Sequence, residues 1–423
     1  MAYSRLVAGL AAGLGFILYG LATPVGAAEY QLDSELDSGV TQGCATQVTA
    51  PAPHSQASSG AIKVLPPSKG LYVGAYQIPA TRGEFKRFKD ATGRVPPIVF
   101  SFHDWFSETN NGTDPDKTFS SRMEGEDSVS PLELAKYLAD QGSVLALAWA
   151  VYCCDVESTQ FWLRMKRPHD HINRILRGEQ DDFIRETARQ IKKSGVPIML
   201  TIMPEFNWQG QFLFGADGRT WMDAADNICA EYGDPAWPDG PERVRDLYMH
   251  VIDVFREEGV TNVTWFMYSG NQYMAKDVEG QSQWLHPRYY YPGDAYIDWV
   301  GQSVYFTDPS WSDRYEEVES FKKVFQPGYE AWRSVTKRPM LLAEFGMLAE
   351  SSDDRQDLWN EVLTKDLKKM PGVKAITIAD SDLFAEYFNI PRLSGSDDDL
   401  SVLKRVSSQD SYFSKSLKTG PSR

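Results

Sequence analysis

Short apolar runs alternate with longer amphipathic stretches along the chain after residue 70. The runs contain few polar residues, and continuous apolar character is typical of parallel strands buried on both faces. The pattern predicts eight strands, at residues 71–76, 98–102, 144–151, 197–203, 263–268, 297–306, 340–345 and 373–378.

The stretches between these strands carry apolar residues at helical spacing. Proline near the start and glycine after the end mark the boundaries of the best of them, residues 241–258. The pattern predicts helices at residues 172–193, 241–258, 312–336 and 353–370.

Eight strands alternating with helices predict an α/β fold of the (β/α)8 TIM-barrel type. An open, doubly wound sheet is the alternative, but no GxGxxG motif follows the first strand. We expect the barrel domain at residues 70–405 and a C-terminal tail at 406–423. The longest insertion, residues 208–239, follows the fourth strand and would line the active face of a barrel.

The first 28 residues have the pattern of an export signal. Arg5 precedes an apolar run at residues 6–21, and small residues at 25–28 form a cleavage site. We therefore expect a secreted or periplasmic protein with no stable membrane span after cleavage; an uncleaved anchor is the alternative. Residues 29–69 are rich in Ser, Pro and Ala, which indicates a leader or linker.

Charge and aromatic content limit the classes of molecule that the protein is expected to bind. The formal net charge of −15 argues against nucleic acid or an anionic membrane as the main partner. The chain contains 12 Trp, 20 Tyr and 21 Phe, and such rings form flat platforms for sugars as well as filling cores. We expect a neutral, sugar-like partner and a monomeric protein.

Four cysteines, Cys44, Cys153, Cys154 and Cys229, allow three disulfide pairings, among which the sequence does not choose. They include no pair of CxxC motifs of the kind that holds zinc. We expect structural disulfides, no metal site and no cofactor.

Two glutamates end predicted strands. Glu205 follows the fourth strand and Glu344 lies in the seventh, and these strands face each other across a barrel mouth. Two carboxyl groups flanking a pocket are what glycoside hydrolysis requires. Salt bridges at the rim of the barrel are the structural alternative for the two glutamates.

The motifs around these glutamates resemble a known family. The runs at residues 204–208 (Pro-Glu-Phe-Asn-Trp) and 343–346 (Ala-Glu-Phe-Gly) resemble clan A glycosidases, and more narrowly glycoside hydrolase family 26, which includes many β-mannanases. The resemblance extends over about residues 70 to 390 and includes the stretches at 175–184, 260–265, 291–301 and 337–339.

The resemblance implies specific roles. Glu205 would be the general acid/base and Glu344 the nucleophile of a retaining enzyme, with their carboxyl groups about 5–5.5 Å apart. Tyr305 would orient Glu344, and Asn207 would contact substrate or brace the loop that carries Glu205. Pro204 stands where the family usually has His.

Three further residues are candidates for sugar binding. Trp208 follows Asn207, and His103 and Asp104 end the second strand, where they could touch the sugar next to the scissile bond. For His103 and Asp104, a structural role at the barrel rim is the alternative.

We therefore predict an exported retaining glycoside hydrolase that cleaves internal β-linkages of a polysaccharide. By the resemblance the first substrate is β-1,4-mannan; β-1,3/1,4-glucan, xylan or an exopolysaccharide could be cut at the same site. A non-catalytic carbohydrate-binding barrel is the rival from another class. A metal-dependent deacetylase is a third reading, for which the six histidines offer few convergent ligands.

Overall fold

The structure, a computed structural model, describes most of the chain from residue 61 onward. The described residues are 61–105, 118–123, 127–151, 168–207, 232, 239–270, 285–307, 320–348, 352–382, 393, 400–404, 413–414 and 416–421. The four cysteines lie outside these ranges, so the expected disulfides do too.

Eight parallel strands close into a barrel. In chain order the strands are β1 (Ile62–Leu65), β2 (Tyr72–Tyr76), β3 (Ile98–Asp104), β4 (Val144–Ala150), β5 (Ile198–Thr201), β6 (Val263–Ser269), β7 (Trp299–Thr307), β8 (Met340–Leu348), β9 (Val373–Ala379) and β10 (Lys418–Pro421). Strands β2 to β9 form the barrel in sequence order, and β9 pairs with β2 to close it. The predicted (β/α)8 barrel is confirmed, because every predicted apolar run overlaps one barrel strand.

Helices pack around the barrel. They are α1 (Arg82–Thr92), α2 (Pro131–Asp140), α3 (Pro168–Leu176), α4 (Asp181–Ser194), α5 (Asp239–Glu257), α6 (Phe321–Val335) and α7 (Ser352–Glu361), which continues as a π-turn (Val362–Asp366) and a 3-10 turn (Leu367–Lys369). Local sequence sets their ends: the Ser130 side chain and Glu133 form a reciprocal capping box at α2.

The single helix predicted at residues 172–193 is wrong. A turn after Leu176 divides it into α3 and α4 because Gly178 adopts a left-handed backbone with φ of 79°. Glycine reaches this conformation without steric cost. The two helices still present their apolar residues to one core, so the periodic pattern continues across the break.

Two apolar layers fill the molecule. Large aromatic side chains fill the interior of the barrel, where the Phe100 ring packs against Tyr76 and Tyr268 at centroid distances of 5.0 and 5.9 Å. A second, larger cluster lies between the strands and the surrounding helices. The interior is therefore a packed core, as in other (β/α)8 barrels, and supports the mouth from below.

A two-stranded antiparallel ribbon of β1 and β10 covers the amino-terminal end of the barrel. Lys63 Nζ donates to Asp298 at 2.8 Å, and the backbone N–H of Val64 donates to Thr264 Oγ1 at 2.8 Å. Trp299 Nε1 in turn donates to the Val64 carbonyl at 2.9 Å. Since these partners lie at or just before the starts of β6 and β7, the ribbon caps the end opposite the strand carboxyl ends.

The ribbon extends the barrel domain beyond the boundaries expected from sequence. Strand β1 falls within residues 29–69, which were expected to form a leader or linker, and β10 falls within the expected tail at 406–423. Both strands make specific hydrogen bonds to the barrel or to each other.

Candidate active site

Glu205 lies just beyond the carboxyl end of β5 in an unusual backbone conformation. Its φ of 47° places it in the left-handed region, which non-glycine residues rarely adopt. The fully buried side chain of Asn207 braces the turn that carries Glu205. Its Nδ2 donates to the Leu285 carbonyl at 3.0 Å and its Oδ1 accepts from the Gly270 N–H at 2.8 Å. Strain of this kind persists where the surroundings over-determine it, often at functional sites.

Glu344 lies within β8 with its side chain inside the barrel and 3% exposed. The Tyr268 hydroxyl donates to Oε1 at 2.7 Å, and the Tyr305 hydroxyl donates to Oε2 at 2.8 Å. Both carboxylate oxygens therefore have a phenol donor, one from β6 and one from β7.

Ser303 connects the two glutamates. A register shift between Gln302 and Ser303 sets Ser303 opposite Glu344 in the ladder of β7 and β8. The Ser303 hydroxyl, fully buried, donates to Glu205 Oε1. Ser303 therefore lies opposite Glu344 in the strand ladder and forms a hydrogen bond to Glu205 through its side chain.

The electrostatics of the two glutamates differ. Burial and the nearby charge of Glu344 raise the pKa of Glu205 to about 8, and the Ser303 hydrogen bond offsets part of that rise. Burial raises the pKa of Glu344 as well, but the hydrogen bonds from Tyr268 and Tyr305 and the nearby Tyr76 hydroxyl oppose the rise. The hydroxyl donors on Glu344 therefore favour the charge on Glu344 and the shared proton on Glu205.

The Tyr305 phenol remains a donor. Burial and the Glu344 charge raise the pKa of Tyr305 well above its ordinary value. A protonated phenol stabilises ionised Glu344 and fixes its direction.

This arrangement supplies a protonated carboxyl and an ionised carboxylate at one barrel mouth. Environments that separate the pKa values of two titratable groups assign the acid and the base of a reaction. The pair can protonate a leaving oxygen while attacking the carbon attached to it, which is the chemistry of acetal cleavage.

Comparison with known proteins gives the same class of chemistry. The model of glycosyl hydrolase family 26 matches residues 143–370, which is more than half of the chain. The chain belongs to glycoside hydrolase family 26. The resemblance inferred from the sequence is confirmed.

Relatives of this family 26 protein include a curated enzyme and several solved structures. Endoglucanase H of Acetivibrio thermocellus is 25% identical over 281 residues, which cover 66% of this chain and 24% of that protein. This chain thus spans about a quarter of the length of that relative. The mannanase BCman of Bacillus subtilis is 15% identical, with a TM-score of 0.48 and coverage of 83% of this chain and 88% of that one. A β-mannanase from a symbiotic protist of the termite Reticulitermes speratus is also 15% identical, with a TM-score of 0.49 and coverage of 82% and 89%.

Among the predicted site residues of this family 26 barrel, the structure brings Glu205, Glu344 and Tyr305 to one place. Asn207 lies next to them, and the contacts of its side chain given above brace the turn that carries Glu205. Bracing was one of the two roles expected for Asn207.

The structure places His103 away from the pair. Inward and outward positions alternate along β3, and Phe100 and Phe102 take the inward ones. His103 therefore points to the outer layer, where its ring is buried against Phe119 at a centroid distance of 5.7 Å. Asp104 is the last residue of β3, and its side chain lies outside the described part of the structure, as does Trp208.

Tyr268, Tyr76 and Ser303 are site residues that the sequence analysis did not single out. Tyr76 and Tyr268 lie at or near the carboxyl ends of β2 and β6, and Ser303 lies in the middle of β7; all three side chains are directed inward. Applying the two-residue alternation of strands to every strand end would have selected the two tyrosines. It would also have excluded His103.

The described residues contain neither a metal-binding group nor a membrane-spanning helix. His, Cys, Asp and Glu side chains within them form no group of three or more that could hold a metal ion. None of the described helices has the length and apolar character needed to cross a membrane.

Proposed function

We propose that this chain is an exported, retaining hydrolase of internal β-1,4 linkages in a mannan-like polysaccharide. Its family membership supports glycoside hydrolysis, and the carboxyl pair supports a two-step mechanism. The observation that carries the proposal is the unequal hydrogen bonding of the pair, with tyrosine hydroxyls on Glu344 and a serine on Glu205.

In the first step, a Glu344 oxygen attacks the anomeric carbon. The bond from that carbon to the leaving oxygen breaks, and the Glu205 proton passes to the leaving oxygen. In the second step, water attacks the same carbon and displaces Glu344, while Glu205 takes the water proton. Tyr268 and Tyr305 hold Glu344 in its attacking orientation. No cofactor is required, because positioned carboxyl groups stabilise the oxocarbenium-like transition state.

A β-1,3/1,4-glucan is the second candidate substrate. The curated relative is named an endoglucanase, and it shares 25% identity with this chain over 281 residues. The same carboxyl pair would serve either polymer, since the reacting bond is an equatorial glycosidic bond in both.

The test is release of reducing ends from a panel of soluble β-mannans, mixed-linkage β-glucans and xylans. The variants are Glu205→Ala and Glu344→Ala, with Glu361→Ala as a matched control because Glu361 is exposed on α7. We expect mannan cleavage by the wild type and the control, and a loss of at least about 1,000-fold in both site variants. Proton NMR of the first product formed should show the β-anomer.

Each other outcome has a definite meaning. Cleavage of mixed-linkage glucan but not mannan would select the second substrate. Equal activity of all four proteins would refute the site assignment. Binding of a polymer without cleavage of any would favour the carbohydrate-binding barrel, and an initial α-anomer would refute retention.

Export is a separate part of the proposal and rests on the signal-like pattern of residues 1–28. Expression of the full chain in a bacterial host, followed by amino-terminal sequencing of the periplasmic or secreted protein, tests it. We expect the mature chain to begin at Glu29. Retention of residues 1–28 on a cytoplasmic protein would contradict export.

A further inference from the structure

In the described part of the structure, the Ser303 side chain forms a hydrogen bond to the carboxyl group of Glu205. The serine is fully buried on β7, and its hydroxyl donates to Oε1. The register shift just before Ser303 sets this residue opposite Glu344, so the backbone of the nucleophile strand fixes where the hydroxyl lies.

We propose that Ser303 is a positioning residue that occupies Glu205 Oε1 and thereby reserves Oε2 for the proton exchanged with substrate. The proposal rests on the proposed function, in which Glu205 is the general acid/base. Ser303 itself does not touch the reacting atoms.

The backbone of Glu205 explains why such a residue is needed. A glutamate side chain has three rotatable bonds, and here it starts from a left-handed backbone with φ of 47°. Hydrogen bonds to Leu285 and Gly270 let Asn207 fix the turn that carries Glu205, but they do not hold the Glu205 carboxyl group. The Ser303 hydroxyl supplies the missing constraint at the far end of the side chain.

The hydroxyl also matters for the second step. A donor on Oε1 favours the ionised form of Glu205, which is the form that takes the proton from water. In the first step Glu205 must instead carry a proton, which Oε2 can hold while Oε1 stays bonded. The titratable groups that face this site are Glu344 on β8, Tyr305 on β7, Tyr268 on β6 and Tyr76 on β2.

The test compares Ser303→Ala with wild type, with Ser101→Ala as the matched control. Ser101 is also a buried serine of a barrel strand, but its hydroxyl accepts from the Ala80 N–H, away from the glutamates. On polysaccharide, Ser303→Ala should move the alkaline limb of the kcat/KM profile upward by about one pH unit, because ionised Glu205 loses a donor. On an aryl β-glycoside with a nitrophenol leaving group, whose second step is limiting, kcat should fall about tenfold.

Ser303→Cys is the second variant, since a thiol donates weakly and should give a smaller shift. An alkaline limb that stays in place in both variants, or moves equally in Ser101→Ala, would overturn the proposal.

Carbon-13 NMR titration of glutamate carboxyl carbons tests the same contact without turnover. The Glu205 signal is assigned by its loss in Glu205→Gln, and its midpoint should rise by about one pH unit in Ser303→Ala. An unchanged midpoint refutes the role of Ser303. Failure of the proposed function appears separately, as absence of hydrolysis by the wild type.

Discussion

Glu205, which is partly buried, and Glu344, which is buried, receive different numbers of hydroxyl donors. Tyr268, Tyr305 and Tyr76 act on Glu344, whereas Ser303 acts on Glu205. Each donor stabilises the ionised form of its acceptor. Four hydroxyl groups from three strands, β2, β6 and β7, thus bias the location of the shared proton in addition to burial and the mutual repulsion of the two carboxylates.

The raised pKa of Glu205 should make stability depend on pH. The pKa of Glu205 rises from 4.5 in the unfolded chain to about 8 in the folded one, so the folded state binds more protons between these values. Stability that is present below pH 4.5 is therefore lost as the pH rises towards 8. Glu205→Gln remains neutral throughout, so its Tm should exceed that of the wild type by an amount that grows from pH 4.5 to pH 8. Thermal melts at four pH values check this.

Glu133→Gln is a control of opposite sign. Hydrogen bonds from the Ser130 backbone and side chain lower the pKa of Glu133 at the start of α2. This variant should lose stability relative to wild type above pH 4.5, because the ionised partner of the cap is gone. A Glu205→Gln effect that is constant over the same range would contradict the assigned protonation.

The sequence predicts the role of a single residue where that role depends on the position of the residue along a strand. Glu205 and Glu344 end apolar runs, and a carboxyl group there has to face the mouth or be paired. His103 also ends such a run, but its neighbours Phe100 and Phe102 take the inward positions. Ser303 depends on a register shift that no local pattern records.

At the scale of elements, β7 leaves no room for a side chain at Gly301, next to β8. A Cβ on Gly301 would lie 2.0 Å from the Leu341 carbonyl oxygen and 3.2 Å from the Tyr268 Cβ. The absence of a side chain at Gly301 therefore lets the strands pair while Tyr268 points towards Glu344.

Gly301→Ala should accordingly destabilise the barrel and disturb Glu344. The added methyl group meets backbone rather than a flexible side chain, and such overpacking costs about 1–3 kcal/mol or more. We expect a lower midpoint of urea unfolding and a kcat reduced at temperatures where the variant is folded. Gly83→Ala, on the exposed start of α1 with 3.6 Å to its nearest neighbour, is the control and should not destabilise. Equal midpoints for the two variants would refute the close approach.

The sequence predicts strands and helices where the pattern of buried apolar residues alone determines their type and bounds. All eight barrel strands followed from apolar runs because parallel strands are covered on both faces. The division between α3 and α4 did not follow, since the backbone of Gly178 changes the chain direction without interrupting the apolar pattern. The π-turn after α7 likewise continues a helical pattern with different hydrogen bonding.

At the scale of the whole molecule, the β1–β10 ribbon joins two distant parts of the chain. The Tyr72 hydroxyl lies between its strands, accepting from the Lys418 N–H at 3.0 Å and donating to the Leu65 carbonyl at 3.1 Å. Val64 and Leu417 pack against the interior cluster of the barrel. Closing this end keeps water from the aromatic core that supports the mouth.

Removal of residues 416–423 should lower the Tm by at least about 3 °C, because β1 loses its partner and Val64 loses cover. Since the ribbon lies at the opposite end from the glutamates, kcat/KM at 25 °C should stay within about twofold of the full chain. Removal of residues 422 and 423 alone leaves β10 intact and serves as the control. An unchanged Tm after the longer deletion would show that the ribbon does not contribute to stability.

The ribbon lies beyond what the sequence could predict. Residues 62–65 form a short apolar run next to a Pro-rich segment, and their partner lies about 350 positions away. Pairing over such a separation depends on where the barrel brings the chain ends, not on any local propensity.

The position of this ribbon also determines how the cleft is presented. The described chain enters the ribbon at residue 61 and leaves it at residue 421, both beneath the barrel floor, with the two glutamates at the far end. A carrier joined at either of these points, whether a cell surface, a solid support or a fused protein, would face the amino-terminal end of the barrel. The opening would face the medium, where a long polymer can enter without meeting the carrier.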